Sequence, residues 1–94
     1  MGKAEYKVEG GKLIRVQLRK KGGRIEEIKI TGDFFLHPER FIEELEEALL
    51  GHNLDEKNLT AYMRTLVEKG KVTLLGTSPE DFARCIIMAG EQDG

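Results

Sequence analysis

Apolar and polar residues alternate along Leu13–Arg19, with Ile14, Val16 and Leu18 set against Arg15, Gln17 and Arg19. That two-residue period predicts a half-buried strand. It returns in Arg24–Thr31, where Glu26, Ile28 and Ile30 share one face and Ile25, Glu27 and Lys29 the other, so that Ile25 falls on the polar side. Between the two runs, Lys20-Lys21-Gly22-Gly23 has turn chemistry, because glycine accepts the positive φ that a tight hairpin needs. A shorter segment, Ala4–Val8, predicts a third strand, parted from the next by Gly10-Gly11. The economical arrangement is an antiparallel sheet of about three strands.

Beyond Pro38 the period changes to that of helices. Pro38 suits a first helical position, and Phe41, Ile42, Leu45, Ala48 and Leu49 fall on one stripe with Glu43, Glu44, Glu46 and Glu47 outside it as a solvated face. Gly51 is a good stop. Asp55 predicts the cap of a second helix whose apolar face is Leu59, Tyr62, Met63, Leu66 and Val67, ending at Gly70. Ser78-Pro79-Glu80-Asp81 combines a capping hydroxyl, a proline at the first position and acids at the positive dipole end. The third helix it opens carries Phe82, Cys85, Ile86 and Ala89 on one side, with Ala83, Ile87 and Met88 widening the apolar surface enough for burial on two sides or contact with a partner. Lys71–Leu75 reads equally as a short strand or a loop. The predicted class is therefore α+β: about three antiparallel strands followed by three helices packed on one face. Residues 1–90 form one domain, and residues 91–94 read as a loose C-terminal tail.

Charge divides the chain. Residues 1–32 hold nine Lys/Arg against Glu5, Glu9, Glu26 and Glu27, whereas the remainder is acidic, and the net charge of the 94 residues is −2. That balance argues against strong non-specific affinity for nucleic acid, although a basic first third and an acidic remainder suggest two chemically different faces. No apolar run approaches the roughly 20 residues of a membrane span, and the N-terminus has no signal-peptide segment, so a cytoplasmic location and no membrane contact are expected.

Candidate chemistry is sparse. The one cysteine, Cys85, lies on an apolar helical stripe and reads as structural, and with His37 and His52 it makes too few soft ligands for zinc. Gly10-Gly11-Lys12 and Gly70-Lys71 lack the spacing of a phosphate loop. No residue pattern marks a catalytic, cofactor-binding or metal site. One segment stands out, Ile30-Thr31-Gly32-Asp33-Phe34-Phe35-Leu36-His37-Pro38. Asp33 is placed to bond nearby backbone N–H groups. Adjacent side chains on an extended link point in opposite directions, so Phe34 and Phe35 are hard to bury together in one small core.

This segment also carries a family resemblance. Lys7-Val8-Glu9-Gly10-Gly11-Lys12-Leu13-Ile14-Arg15-Val16, then Ile28-Lys29-Ile30-Thr31-Gly32-Asp33-Phe34-Phe35, then Leu45-Glu46 and Leu49-Leu50-Gly51, resemble the C-terminal accessory domain of lipoate–protein ligases. The resemblance covers residues 6–51, and the last helices in layout only. Glu9 departs from it, standing where the family often has proline. The family's catalytic half uses an Arg-Arg…Gly-Gly-Gly motif and an essential lysine, and neither motif occurs here. The resemblance thus implies the small, non-catalytic subunit of a two-component, archaeal-type ligase, a heterodimer with a separate catalytic chain and without activity alone. Its implied role is in ATP-dependent activation of lipoate to lipoyl-AMP, before the lipoyl group passes to a lysine of an acceptor domain. The family's accessory domain is needed for adenylation and shifts, or is dispensable, for transfer. ATP, magnesium and lipoate are expected at the catalytic partner, with no cofactor on this chain. The contact surface or lid is expected at Gly10, Gly11, Lys12, Thr31, Gly32, Asp33, Phe34, Phe35 and His37, with Lys7 and Lys12 as phosphate-proximal candidates.

Two other classes compete. A stand-alone protein- or RNA-binding adaptor would use the basic sheet, but the strands lack the aromatic pair that stacks bases. An iron–sulfur scaffold, which the accessory domain resembles in fold, needs several thiolates, and Cys85 is alone.

Overall fold

In the computed structural model, which describes residues 1–93, the chain runs β1 (Gly2–Lys7), β2 (Leu13–Lys21), β3 (Arg24–Gly32), β4 (Phe35–His37), α1 (Phe41–Leu49), α2 (Glu56–Lys69), β5 (Thr73–Leu75) and α3 (Pro79–Gln92). β2 is the middle strand of an antiparallel sheet ordered β1-β2-β3. Its alternation works as the pattern requires: Ile14, Val16 and Leu18 are buried, and Arg15, Gln17 and Arg19 are exposed. α3 lies across β1 and β2 with Phe82, Ala83, Cys85, Ile86 and Ala89 buried, and α2 packs against α3 through Leu59 and Met63. The wide apolar surface of α3 is thus explained by burial on two sides. α1 covers β3 and β4 through Phe41, Leu45 and Leu49.

The break in the β3 pattern has a structural cause. Arg19 faces Glu27 and Lys20 faces Ile25, so Glu26 is an extra residue, a β-bulge that shifts the register. Beyond the bulge the faces exchange, and Ile25 turns inward to 1% exposure. The loop after α1 then completes this end of β3. Ile25 N–H donates to the His52 carbonyl at 3.0 Å, and Gly51 N–H donates to the Ile25 carbonyl at 2.7 Å. The hairpin is tighter than expected, because Lys20 and Lys21 belong to β2 and only Gly22 and Gly23 turn, at φ 60° and 75°.

Three other details differ from the sequence reading. α1 begins at Phe41 and not at Pro38: i→i+3 bonds from Phe41 N–H to Pro38 O and from Ile42 N–H to Glu39 O make the intervening residues a turn. Glu46, expected on a solvated face, is half-buried and accepts from the Ile30 N–H at 2.7 Å, so it satisfies a donor on the open edge of β3. The tail is not loose where it is described. α3 continues through Glu91 to Gln92, and the Asp93 carboxylate accepts from Lys20 N–H at 2.7 Å and lies 3.4 Å from the N-terminal ammonium. Those donors hold the Asp93 carboxyl below its usual range. Gly94 lies outside the described residues.

The caps agree with the pattern. Asp55 accepts from Asn58 N–H at 3.1 Å, and Ser78 and Asp81 form a reciprocal capping box. Thr73–Leu75 is a strand and pairs with β4 as a separate two-stranded ribbon. Among the described residues no helix is long and apolar enough to cross a membrane.

The bulge supplies a direct test. Strict alternation would leave Ile25 in solvent, where truncation changes little. With the bulge, Ile25→Ala costs about 2–5 kcal/mol of stability, read by urea unfolding of the full chain.

Candidate functional site

Three segments distant in sequence meet at one end of the sheet. The β1–β2 turn is held by Val8 N–H to Lys12 O at 2.7 Å and Gly11 N–H to Val8 O at 3.0 Å, even with Glu9 in place of the family's proline. At the end of β3, Asp33 and Leu13 clasp each other: Leu13 N–H donates to Asp33 Oδ1 at 2.6 Å, and Asp33 N–H donates to Leu13 O at 3.2 Å. Asp33 therefore bonds across twenty residues and not to its neighbours. Gly32 makes the close approach possible, since a β-carbon there would run into the Leu13 carbonyl oxygen. The stem of Lys12 lies over Gly76 at the end of β5, where a β-carbon would come within 2.5 Å of Lys12 Cγ.

The clasp delivers the chain into β4, and there the two phenylalanines part. Phe34 is half-buried, edge-on to Phe82 at 5.0 Å between ring centroids. Phe35 is 53% exposed. Directly opposite it in the ribbon stands Leu75, 55% exposed, while Leu36 and Leu74 share the inward face. His37 and Thr73 continue the outward face, both exposed. A shallow cleft of about 200 Å³ opens beside Phe34, Phe35, Leu36, Glu39 and Ile42. A paired aromatic and leucine, both half in water on a rigid ribbon, are what a protein partner would cover.

Of the residues singled out in the sequence, Gly10, Gly11, Lys12, Gly32, Asp33, Phe35 and His37 lie along this end of the domain. Gly32 and Asp33 serve as internal joints, and Phe34 is directed into the core. Lys7 and Thr31 lie on the outer face of the sheet, Lys7 opposite Leu13 and Thr31 opposite Arg15, both exposed. Leu75 was missed. Nothing local marks it, because its significance comes from pairing with Phe35 forty residues earlier.

Cys85 sits in a different environment. Its Sγ approaches the Ile14 and Ala4 carbonyls at 3.5 and 3.7 Å, and burial raises the thiol from 9.0 to about 11. It is therefore protonated at neutral pH and poorly nucleophilic. His52 stacks on Tyr62 at 4.9 Å. Among the described residues no three His, Cys, Asp or Glu side chains converge as metal ligands. A larger hollow, about 460 Å³, runs along one side of α2 from Glu56 to Arg64 and is an open surface dent.

These features define a small α+β domain whose distinctive surface is an exposed apolar ribbon clasped to one end of a sheet. Residues 3–86 match the family described as bacterial lipoate protein ligase C-terminus, and the chain belongs to that family. Lipoate-protein ligase A subunit 2 of Thermoplasma acidophilum is 40% identical over 74 residues, covering 79% of this chain and 76% of the relative. A solved chain from the same organism has a TM-score of 0.78 at 36% identity, over 89% of this chain and 91% of that one. Its structure is described as an archaeal lipoylation system, a bi-partite lipoate protein ligase and its E2 lipoyl domain.

The Cys85 environment gives a signed pH prediction. Because the folded-state pKa is raised, the unfolded chain loses the thiol proton first, and stability falls as pH rises from 9.0 towards about 11. Comparing unfolding of wild type with Cys85→Ser over that range isolates the slope.

Proposed function

We propose that this chain is the non-catalytic subunit of a two-component lipoate–protein ligase and docks on a separate catalytic subunit through the Phe35–Leu75 ribbon. The observation that carries the reading is that apolar pair, presented in register at the end of a domain of this family. A lone exposed leucine is ordinary, whereas a clustered aromatic and leucine on a fixed ribbon form the apolar centre that interfaces bury. The solved structural neighbour, which comes from a bi-partite ligase, supports the pairing.

ATP, magnesium and lipoate bind the catalytic subunit. This chain acts as a lid, ordering the partner's binding loops and excluding water while the lipoate carboxylate attacks the α-phosphate. Water exclusion also protects the lipoyl-adenylate from hydrolysis before transfer to an acceptor lysine. The Gly10–Lys12 turn lies on the same end as the ribbon, and Lys7 and Lys12 add positive potential toward the nucleotide phosphates. The Asp33–Leu13 clasp keeps turn and ribbon in one rigid unit, so both dock together.

The test is reconstitution with the catalytic subunit of the same genome, measuring lipoate-dependent ATP–pyrophosphate exchange with and without this chain. Exchange that depends on both chains is expected, and no stimulation with both folded overturns the reading. The phenylalanines then separate. Phe35→Ala combined with Leu75→Ala weakens binding to the catalytic subunit by on the order of tenfold or more, with unfolding nearly unchanged. Phe34→Ala instead lowers stability, since it removes the ring packed on Phe82. A stability loss from the Phe35 and Leu75 changes would place those side chains in the core and reject the docking surface.

A further inference from the structure

The shallow cleft beside the ribbon shares Phe35 with it. Its walls, enclosing about 200 Å³, are Phe34, Phe35, Leu36 and Ile42, and Glu39 is the one ionisable side chain that lines it. Leu36 is buried, Phe34 and Ile42 are half-buried against the core, and Phe35 and Glu39 are exposed. The turn that enters α1 sets the place of Glu39. Its carbonyl accepts from Ile42 N–H at 3.3 Å, just after Pro38 O accepts from Phe41 N–H at 3.0 Å. The carboxylate has no counter-ion of its own: among the described residues no ion pair includes Glu39, nor Arg40 beside it. His37, two residues earlier, stands on the outward face of the ribbon, and the first turn of α1 adds the exposed acids Glu43 and Glu44.

Size and chemistry narrow what the cleft holds. Small-molecule sites occupy roughly 300–1,000 Å³, so this hollow suits a single side chain and not a nucleotide or a lipoyl group. Because Phe35 belongs to both surfaces, a partner that covers the ribbon covers the cleft too, and Glu39 loses its water. A purely apolar side chain would leave that carboxylate dehydrated and unpaired, and an acidic one would repel it. A long basic side chain meets both conditions. Its methylenes lie along Phe34 and Ile42 while its cation reaches Glu39. The Phe35 ring adds the attraction between a cation and an aromatic face.

We infer that this cleft is the socket for a lysine or arginine side chain of the catalytic subunit, an inference that rests on the ligase reading above. The ribbon and the socket do different work. Burial of Phe35 and Leu75 is non-directional and tolerates a sliding or rotated partner. A cation held between apolar walls on one carboxylate fixes a single register, and so fixes where the lid comes down. Interfaces concentrate their binding energy in filled pockets of this kind, ringed by contacts that exclude water.

The experiment measures the affinity of the full chain for the catalytic subunit of the same genome by calorimetry. Glu39→Gln keeps the shape and removes the charge, and it weakens binding by on the order of tenfold. Glu39→Lys weakens it further. Unfolding of the free chain is unchanged in both, because Glu39 is exposed and unpaired. Glu47→Gln, near the other end of α1, keeps wild-type affinity, which separates a socket from general negative charge. A scan of exposed lysines and arginines on the catalytic subunit finds one whose Ala variant weakens binding as Glu39→Gln does and adds little to it in combination. Wild-type affinity in both Glu39 variants overturns the inference, and so does a scan in which no basic residue couples to Glu39. An equal loss from Glu47→Gln also rejects it, as would full affinity in Glu39→Gln beside a loss in Ile42→Ala, which would put an apolar side chain in the cleft. Failure of the wild-type chain to bind the catalytic subunit or stimulate its exchange is a different result, and it removes the ligase reading underneath.

Discussion

The packing of α3 across β1 and β2 is the contact on which the other parts depend. Ile14, Val16 and Leu18 present a continuous apolar row, and Phe82, Cys85, Ile86 and Ala89 cover it. Each fully buried large side chain contributes about 1.5–3 kcal/mol, whereas the exposed Arg64–Glu80 and Arg84–Glu56 pairs that join α2 to α3 contribute about 0.2–1 kcal/mol each. The apolar layer therefore sets the arrangement, and the ion pairs adjust it. Gly2 allows β1 to come against the α3 backbone near Ala89, which also brings the N-terminus within reach of Asp93.

Packing helices on one side has a consequence for the other. The outer face of the sheet is left to water and is free to carry charge, so the lysines there are unconstrained by the core. The open edge of β3 is managed separately. Glu46 takes the Ile30 N–H, and the Gly51–Leu54 loop pairs with the strand's first residues, so this edge offers less to a stray strand. The ribbon is the exception to this economy. Its inward leucines join the core while Phe35 and Leu75 remain outside, a surface without an internal purpose. The Asp33–Leu13 clasp anchors the chain entering β4 to the central strand through two hydrogen bonds, one of them to a carboxylate.

Much of this was legible in the sequence because it is written in local chemistry. The period of β2, the Gly22-Gly23 turn, the Asp55 cap and the Ser78–Asp81 box each need only neighbours a few residues away. The parting of Phe34 and Phe35 was legible in the same way, as alternation along an extended link. Which ring turns inward was not, since that depends on Phe82 being in place. Ile25 seemed misplaced until the bulge at Glu26 explained it, and beyond that bulge the loop after α1 bonds both backbone groups of Ile25.

The sequence by itself determined β1, β2 and β3, the helices, most of their ends, the class of the fold and the basic character of the first third. Tertiary structure decided the pairing of β4 with β5, the exposure of Leu75 beside Phe35, the capture of Ile30 by Glu46 and the docking of Asp93. The division follows the reach of the forces. Backbone propensity, capping and periodicity act within a turn or two of chain. The four later features each join groups between 16 and 92 residues apart, and such contacts come into being only once the core has brought their partners together.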